Sequence, residues 1–547
     1  MRSILCELFV FLLATAILFA QPQNPDLAKP VDLSLTAIGR QHHPIQTQSR
    51  EAQEYFDQGI TLIYAFNHEE AAHSFQRAAE LDPASPMPLW GIALAVGPNY
   101  NMDVDAQREK QGYETIQKAG RLAANAPQVE KDYVAALMTR YSGDPTPDYK
   151  KLSRDYASAM KALSAKYPDD LDAATLYAES LMDLNPWKLW SLDGKPGENT
   201  GEIVAVLESV LARDPNHAGA NHYYIHAVEA SPDPSRALPS AHRLDTLVPE
   251  AGHLVHMPAH IYERTGYYEQ AAKTNAQAAK VDHQYAEEAG KTGTMYDMMY
   301  HSHNQHFEAM AASMAGDYAE AKQAADSMAA RLLPHAAMMP MLDSFLMTPI
   351  WVDVRFSKWP EILARPEPAK ELIGTHAMWR YSRAVALAST GKVPEAEKDF
   401  ALFNTEVGAI PEGVILGDQN KASDVFGVAG HVIEGRIAIA RGDRDEASMH
   451  LQKAVAIQDT LKYAEPADWY YPVRESLGAS LLASGKATEA EQVFREDLKQ
   501  NPRNPRSLFG LMEALRAQKK ETDAAWVEKE FNAAWKSADT NLTLALL

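Results

Sequence analysis

The feature that most constrains the fold of this chain is a pattern of small residues, phenylalanine and proline that recurs along it. Residues 55–83 read YFDQGITLIYAFNHEEAAHSFQRAAELDP. Gly59 lies midway in a first stretch with helical spacing, and Phe75 lies between two alanines in a second one. Pro83 ends the second stretch, because proline cannot continue a helix. The pattern predicts two helices that pack closely through their small residues.

The same anchors recur along most of the chain. They are Ala237 with Ala241, Ala271 with Ala278, Ala321, Ala396 with Phe400, Ala447 with Ala454, Ala490 with Phe494, and Ala525. Ala237 and Ala271 are 34 residues apart, whereas the later spacings are irregular and indicate insertions. Because no strand-like alternation competes with this pattern, we expect an all-α solenoid of antiparallel helix pairs with a concave groove.

The anchors resemble those of the tetratricopeptide repeat (TPR) over most of residues 50–535. The resemblance implies a TPR-type α-solenoid in which the first helix of each pair lines the groove and the second faces outward. We expect a signal peptide (1–20), an N-terminal extension (21–50), an N-terminal TPR array with a histidine-rich groove (51–335), an insertion or linker (336–375), a C-terminal TPR array (376–535) and a tail (536–547). Residues 184–202 and 332–368 do not fit the repeat; they could cover the groove as lids or pack on neighbouring helices.

The first twenty residues are typical of a secretory signal peptide. Arg2 supplies a positive charge, and the apolar stretch that follows is too short to span a bilayer. The only cysteine, Cys6, lies inside this segment, so the mature chain has no disulfide and no thiolate ligand. We therefore expect a periplasmic or secreted protein with no membrane span after removal of the signal peptide.

Net charge bears on the class of partner. The formal charge of -21 is spread along the chain, whereas binding to nucleic acid requires a basic surface. The sequence thus disfavours nucleic acid, and the groove of a TPR solenoid favours a peptide or protein as partner.

Histidine is concentrated in one part of the sequence and keeps the register of the repeat. Eleven of the 19 histidines lie within residues 217–306. His222 and His226 stand 15 and 11 residues before one alanine anchor, and His256 and His260 stand at the same distances before the next. The repeated register places both pairs on groove-lining helices.

Such pairs are suited to holding a metal ion. Side chains three or four residues apart share one helix face, with Cβ atoms about 5–6 Å apart, and two imidazoles can share an ion at about 2.0–2.1 Å. The expected ligands are His222, His226, His256, His260, His303 and His306, with Glu229 and Glu263 as further ligands or as acceptors that orient an imidazole. Alternatively, the histidines form a polar lining that grips a peptide carboxylate or another anion.

Two neighbouring residues belong to the same hypothesis. His253 occupies the corresponding earlier position in its own repeat and is a further groove candidate, as is Tyr262.

Pro258 falls inside the expected groove helix, where proline costs about 3 kcal/mol or more. A helix either begins at Pro258 or bends between His256 and His260.

Methionines bear on the identity of the metal. Ten of the 20 lie between Met295 and Met347. Thioether sulfur suits Cu(I), whereas imidazole suits copper, zinc and iron, so the composition slightly favours copper over zinc or iron. The alternative is that these methionines fill an apolar core.

Four sequence fragments support a wider resemblance. YAFNHEEAAHSF, LWGIALAVGPNYN, GHLVHMPAHIYERTGYY and HSHNQHFEAMAASMAGD resemble a set of large exported bacterial TPR proteins, which brings no known activity with it. The resemblance implies that Asn67, His68, Asn99 and Asn101 belong to the same site. For Asn67 and His68 the alternative is turn and helix-cap chemistry.

Catalytic motifs are missing from the sequence. It contains no phosphate-binding GxxxxGK[ST], no GxSxG and no HExxH. We therefore expect an exported binding scaffold whose groove carries a transition-metal site. The alternatives are a metalloenzyme with redox or hydrolytic chemistry on the same solenoid and a periplasmic metal store or carrier.

Overall fold

The computed structural model describes residues 41–417 and 419–547. The expected signal peptide (1–20), with Cys6, lies outside these ranges, and so does most of the expected extension (21–50). Among the described helices, none combines the length and apolar character that crossing a membrane requires.

The N-terminal part of the described chain is built of helices that follow one another closely. They are α1 (Arg50–Tyr64), α2 (His68–Leu81), α3 (Met87–Val96), α4 (Ala106–Leu122), α5 (Gln128–Met138), α6 (Tyr149–Lys166), α7 (Leu171–Met182), α8 (Thr200–Arg213), α9 (Ala218–Val228), α10 (Leu238–Leu247), α11 (Gly252–His256), α12 (Pro258–Arg264), α13 (Tyr268–Glu288), α14 (Ser302–Ala315) and α15 (Tyr318–Leu332). A π-helical turn, Asp297–His301, leads into α14.

The C-terminal part has the same character. Its helices are α16 (Asp343–Leu346), α17 (Thr348–Arg355), α18 (Trp359–Ala364), α19 (Ile373–Ser389), α20 (Val393–Gly408), α21 (Ala422–Arg441), α22 (Arg444–Gln458), α23 (Val473–Ala483), α24 (Ala487–Gln500), α25 (Pro505–Ala517) and α26 (Glu521–Ala534). Two short strands, β1 (Ile415–Leu416) and β2 (Asn420–Lys421), pair antiparallel before α21, with Ile415 opposite Lys421.

The helices stack as successive pairs, which confirms the predicted all-α solenoid of TPR type. Short turns join α1 to α2, α19 to α20 and α21 to α22, and the helices of each pair pack against each other. The first helices of adjacent pairs also touch, as α1 touches α3 and α19 touches α21. This stacking buries a continuous apolar core along the chain.

Glycines let neighbouring helices approach a phenylalanine that lies between them. A Cβ atom added at Gly59 or Gly91 would lie 2.5 Å from the Phe75 ring. The same arrangement recurs near the C-terminus, where a Cβ added at Gly478 or Gly510 would lie 2.4 or 2.1 Å from Phe494. The small residues and phenylalanines that mark the repeat in the sequence are therefore its packing contacts.

Substitution of Gly510 tests this packing. Gly510→Ala should destabilise the protein by about 1–3 kcal/mol, because the added methyl group overpacks a site filled by Phe494. The lowered midpoint of urea unfolding measures the effect. Gly201→Ala on α8 is the matched control, since no atom lies within 4 Å of the added Cβ. Equal midpoints for the two variants would contradict the packing role.

The two segments that do not fit the repeat pack against it. Residues 332–368 contain α16, α17 and α18, and Trp351 on α17 is buried against Trp469 and Tyr470. In the loop of residues 184–202, Trp190 donates a hydrogen bond from Nε1 to the Ala227 carbonyl on α9 at 2.8 Å. Both segments contribute to the core of the solenoid.

The C-terminal array also contacts the N-terminal one. Tyr268 on α13 donates a hydrogen bond to the Pro502 carbonyl at 3.3 Å. The carboxylate of Asp539, in the expected tail (536–547), accepts hydrogen bonds from the Tyr318 and Ala319 amides at 2.9 and 3.0 Å. Pairs that are distant in sequence therefore meet in the folded chain.

Candidate metal centre

Four helices bring histidines to one place inside the N-terminal array. His222 and His226 lie on α9, His253 and His256 on α11, His260 on α12, and His303 on α14. The break between α11 and α12 falls between two of them. Pro258 is the first residue of α12 and needs no amide partner there, so a new helix begins at Pro258, which is one of the two arrangements that the sequence allowed.

The first histidine triad consists of His222, His226 and His253. One ring nitrogen of each lies within 4.8 Å of the others. The two Nε2 atoms of His222 and His253 are 3.1 Å apart. The Phe66 ring covers this triad, with centroids 4.5 Å from His222 and 5.2 Å from His253.

The second histidine triad consists of His256, His260 and His303. Its ring nitrogens also lie within 4.8 Å of one another. His256 Nε2 is 2.6 Å from His260 Nε2 and 3.2 Å from His303 Nε2. Phe307 covers this triad, with centroids 5.3 Å from His256 and 5.1 Å from His260.

The two triads are adjacent. The ring centroids of His226 and His260 are 5.7 Å apart, and those of His253 and His256 are also 5.7 Å apart. All of these side chains are buried except that of His303, which is partly exposed. The phenylalanine on each triad reduces access of water, which strengthens electrostatic interactions there.

Outer hydrogen bonds fix the orientation of three imidazoles. His222 Nδ1 lies 2.6 Å from the Tyr64 carbonyl oxygen, and His226 Nδ1 lies 2.8 Å from Glu229 Oε1. His256 Nδ1 lies 2.6 Å from Asn275 Oδ1. Because these oxygens only accept hydrogen bonds, Nδ1 must donate, which leaves the Nε2 lone pair facing the triad. Metal-binding histidines are oriented in the same way.

Two carboxylates meet at His260. Glu229 Oε2 lies 2.9 Å from His260 Nδ1, and Glu465 Oε2 lies 2.8 Å from the same nitrogen. One ligand atom from each of Glu229, Glu465 and His226 could also surround a single ion. Glu229 therefore links the two triads through His226 and His260.

Asp172 supports the first triad from behind. Its carboxylate accepts a hydrogen bond from the Tyr64 hydroxyl at 2.6 Å and lies 2.8 Å from His43 Nδ1 and 3.2 Å from His217 Nε2. His217 caps the N-terminus of α9, and Tyr64 holds His222 through its carbonyl. Asp172 therefore fixes the two elements on which the first triad depends.

Burial keeps most of the imidazoles neutral. It lowers the pKa of His222, His253 and His256 well below the ordinary value, and neighbouring imidazoles lower these pKa values further. Burial also lowers the pKa of His303 to about 3. Uncharged rings with converging lone pairs are ready to coordinate a cation at neutral pH.

Around Glu229 and Glu465, charges outweigh burial in setting the pKa values of His260 and Glu229. Burial opposes protonation of His260, but Glu465 and Glu229 outweigh it and raise the pKa of His260 to about 10. Burial opposes ionisation of Glu229, but His226 and His260 outweigh it and lower the pKa of Glu229 well below its ordinary value. Burial, with the charge of Glu229, raises the pKa of Glu465.

Polar atoms without hydrogen-bond partners are concentrated here. Within residues 41–417 and 419–547, these buried atoms include His226 Nε2, His253 Nδ1, His260 Nδ1, Glu229 Oε2 and both carboxylate oxygens of Glu465. The carboxylate oxygens near His260 Nδ1 are close to it without hydrogen-bond geometry. Unpaired buried polar groups cost about 1–3 kcal/mol each, so their convergence points to a bound ligand.

Several expected site residues lie elsewhere. His306 faces Phe345 and Tyr470, with ring centroids 5.4 and 6.0 Å away, and joins neither triad. The Tyr262 hydroxyl donates a hydrogen bond to Asp245 at 2.6 Å. Both side chains point away from the triads.

Glu263 also stays outside the triads, although it is electrostatically close to His260. Burial raises the pKa of Glu263 to about 8, against the charges of His260 and Arg264. Of the two glutamates expected from the sequence, only Glu229 contacts the histidines.

The residues that the wider resemblance implied lie around the site at varying distances. Asn67 caps α2 by accepting a hydrogen bond from the Glu70 amide at 3.3 Å. His68 stacks on Phe66, with centroids 5.8 Å apart. The amide hydrogen of Asn101 is donated to Asn99 Oδ1 at 2.9 Å.

Asn101 approaches the first triad indirectly. Its side chain lies near the Tyr300 hydroxyl, and the Tyr300 ring lies 5.5 Å from His253. His68, the one histidine among the four residues named by the resemblance, belongs to none of the groups of converging ligand atoms in the described chain.

Sequence reasoning missed Glu465, Phe66 and Phe307. Glu465 lies in the loop between α22 and α23, where neither spacing nor repeat register signals a role. Two of the ten methionines of residues 295–347 lie in a part of the core away from the triads. Met298 and Met328 pack with Phe345 in a separate apolar cluster, as core side chains.

Comparison with known proteins adds little about function. No protein-family model matches the chain, and no curated protein matches it. Among solved structures, it is similar to the human IFIT1 dimer with m7Gppp-AAAA (11% identity, TM-score 0.31, covering 90% of this chain and 91% of that chain). It is also similar to yeast Tom70 (13%, TM-score 0.32, 87% and 96%) and to Naa15/Naa10 bound to HypK-THB (14%, TM-score 0.25, 91% and 85%). At these TM-scores the likeness carries no information about a ligand or an activity.

Proposed function

We propose that this protein holds a dinuclear transition-metal centre inside its helical-repeat scaffold. The observation that carries the proposal is the pair of adjacent histidine triads, whose ring nitrogens converge while outer acceptors hold the opposite side of three rings. Each triad would bind one ion.

Hydrogen bonding alone does not account for this geometry. His256 Nε2 lies within 3.2 Å of the Nε2 atoms of both His260 and His303. His256 donates from Nδ1 to Asn275, so its Nε2 carries a single lone pair, which can accept a hydrogen bond from protonated His260 and has none left for His303. A neutral His303 that turned its own lone pair toward His256 would repel it. A cation at about 2.0–2.1 Å from each nitrogen would displace the proton of His260 and make all three nitrogens its ligands.

The nitrogen-rich ligand set suits copper, zinc or iron. Met298 and Met328 lie in an apolar core and supply no ligand, so the slight preference for copper rests on the imidazoles and on the other methionines of residues 295–347. Glu229 and Glu465 add carboxylate oxygens beside the second triad, which all three metals accept.

The open coordination positions favour reactivity over storage. Three protein ligands leave a fourth position of a tetrahedral ion for water or substrate, whereas structural zinc sites use four protein ligands. Glu465, whose carboxylate lies 2.8 Å from His260 Nδ1 and has no hydrogen-bond partner, could accept a proton if an ion bound water there. We therefore favour a metalloenzyme with redox or hydrolytic chemistry over a metal store or carrier.

A scaffold role for the concave surface is compatible with this centre. Arg436 and Ser476, on the groove-lining helices α21 and α23, donate hydrogen bonds to the Leu547 carbonyl at 2.9 and 2.6 Å. This surface therefore already holds a short segment of the chain that ends in a 3-10 turn (Leu544–Leu546), which favours peptide or protein ligands. We also propose export to the periplasm or cell exterior, which rests on residues 1–20 alone.

Metal stoichiometry tests the proposal. The full chain, freed of metal and then dialysed with Cu²⁺ or Zn²⁺, should retain two ions in the two histidine triads, which together form the groove centre. His226→Ala, which removes a ligand from the first triad and a partner of Glu229, should lower the count by at least one. His306→Ala is the matched control and should leave the count unchanged. Equal counts for both variants would rule out the shared centre.

A further inference from the structure

A second cluster of ligand-type side chains lies in the C-terminal array and shares no residue with the groove centre. His431 and Glu434 stand three residues apart on α21, and His450 lies on the paired helix α22. One ligand atom from each lies within 4.8 Å of the others. All three side chains are partly exposed, with His450 the least so at 12%.

The distances among the three ligand atoms are close to those around an ion. Glu434 Oε2 is 2.7 Å from His431 Nδ1 and 2.8 Å from His450 Nδ1. The two Nδ1 atoms are 3.4 Å apart. Ligands at about 2.0–2.1 Å from a tetrahedral zinc ion are roughly 3.3 Å apart, so the histidines already have the spacing and the carboxylate must move by about half an ångström.

The ligand atoms belong to adjacent helices of one repeat. Residues three apart lie on the same helix face, and α21 and α22 form one tightly packed pair. The backbone therefore positions all three side chains without a loop, which is the arrangement that holds metal ligands most accurately.

A cavity adjoins the cluster. It measures about 530 Å³ and is lined by His431 and Glu434 together with Phe403, Val407, Val414 and Phe426. An ion held by the three side chains would keep one position free on this side, because a tetrahedral ion with three protein ligands retains a fourth site. The cavity lining is both apolar and polar, with Asn404 and Ser423 among the polar side chains.

We propose that His431, Glu434 and His450 bind one divalent transition ion of the Zn²⁺ class, with a free coordination position toward the cavity. The competing arrangement is a hydrogen-bonded cluster in which both histidines donate from Nδ1 to Glu434. The two arrangements differ in one measurable respect, because only the first adds an ion to the total that the chain binds.

Titration of the full chain with Co²⁺, followed by its visible absorption and by equilibrium dialysis, tests the proposal. The number of ions bound to His450→Asn and to Glu434→Gln should fall by about one relative to the wild type. His283→Asn is the control, because His283 makes a single exposed ion pair with Glu287 at 3.5 Å. Circular dichroism checks that each variant keeps its helix content.

The groove centre and this site can be separated in the same experiment. His256→Ala combined with His260→Ala should leave the Co²⁺ that depends on His450 in place, whether or not the groove binds metal. An ion count that is the same in wild type, His450→Asn and Glu434→Gln would overturn the proposal and leave a hydrogen-bonded cluster.

Discussion

Removal of metal by a chelator at neutral pH should lower the melting temperature of the wild-type protein. An ion that binds only the folded chain stabilises it by about 4 kcal/mol when free metal is a thousandfold above its dissociation constant. For a chain of this length, that corresponds to a shift of about 3–4 °C for each ion. Differential scanning calorimetry with and without chelator measures the shift.

The triads should contribute separately to this shift. His256→Ala combined with His260→Ala removes two ligands of the second triad and should abolish its part of the chelator effect. The first triad would then account for the remainder. His222→Ala combined with His253→Ala is the reciprocal variant. A melting temperature that responds to neither chelator nor added metal would refute the metal centre and leave a polar lining for an organic or peptide ligand.

Substitution of Asp172 should have the largest effect on stability. Asp172→Ala should cost about 3–5 kcal/mol, because it leaves His43, Tyr64 and His217 without their shared buried partner. Asp169→Ala is the matched control; its carboxylate is exposed and pairs only at the surface with Arg213, so its loss should cost at most about 1 kcal/mol. Urea unfolding measures both. A small loss for Asp172→Ala would contradict its role behind the first triad.

The difference between wild type and Asp172→Ala should depend on pH. Burial opposes ionisation of Asp172, but hydrogen bonds from His217 and His43 outweigh it and lower the pKa of Asp172. The stabilisation by Asp172 is fully present above pH 3.8, which is its pKa in the unfolded chain. This stabilisation is lost as pH falls through the lowered pKa of the folded state.

His43 sets the upper pH limit of this stability difference. Burial opposes its protonation, but Asp172 outweighs burial and raises the pKa of His43 above 6.5. The stabilisation by His43 is fully present below pH 6.5, which is its pKa in the unfolded chain, and is lost as pH rises through the raised pKa of the folded state. The stability difference should therefore be largest between pH 4 and 6.5, and unfolding curves at pH 5 and pH 9 would show it.

Repeat register explains which parts of the centre could be predicted from the sequence. His222, His226, His256 and His260 occupy equivalent positions in successive repeats, and equivalent positions of stacked helices face the same side. Helix geometry also explains why two of the expected residues lie apart from the triads. Tyr262 follows His260 by two residues, or about 200° around the helix, and therefore faces the opposite side. His306 is offset from His303 by about 60°, enough to turn it toward Phe345.

Other parts of the centre could not be read from the sequence. Phe66 reaches the first triad from the turn after α1, at a positive φ of 55°, which no periodic pattern signals. Glu465 lies in an irregular loop, and its approach to His260 depends on how the whole superhelix coils. Contacts of this kind arise from tertiary packing between distant repeats, whereas a repeat pattern contains information only about neighbours.

The contact of Glu465 with His260 changes how the solenoid should unfold. A linear array whose repeats touch only their neighbours can fray from either end, one pair at a time. Here the loop before α23 reaches back to α12, so separation of the C-terminal pairs would leave His260 without one of its two counter-charges. Separation of the N-terminal pairs would likewise leave Glu465 without the charge of His260. We therefore expect the two arrays to unfold as one cooperative unit. Unfolding of either end would disturb the histidines of the two triads.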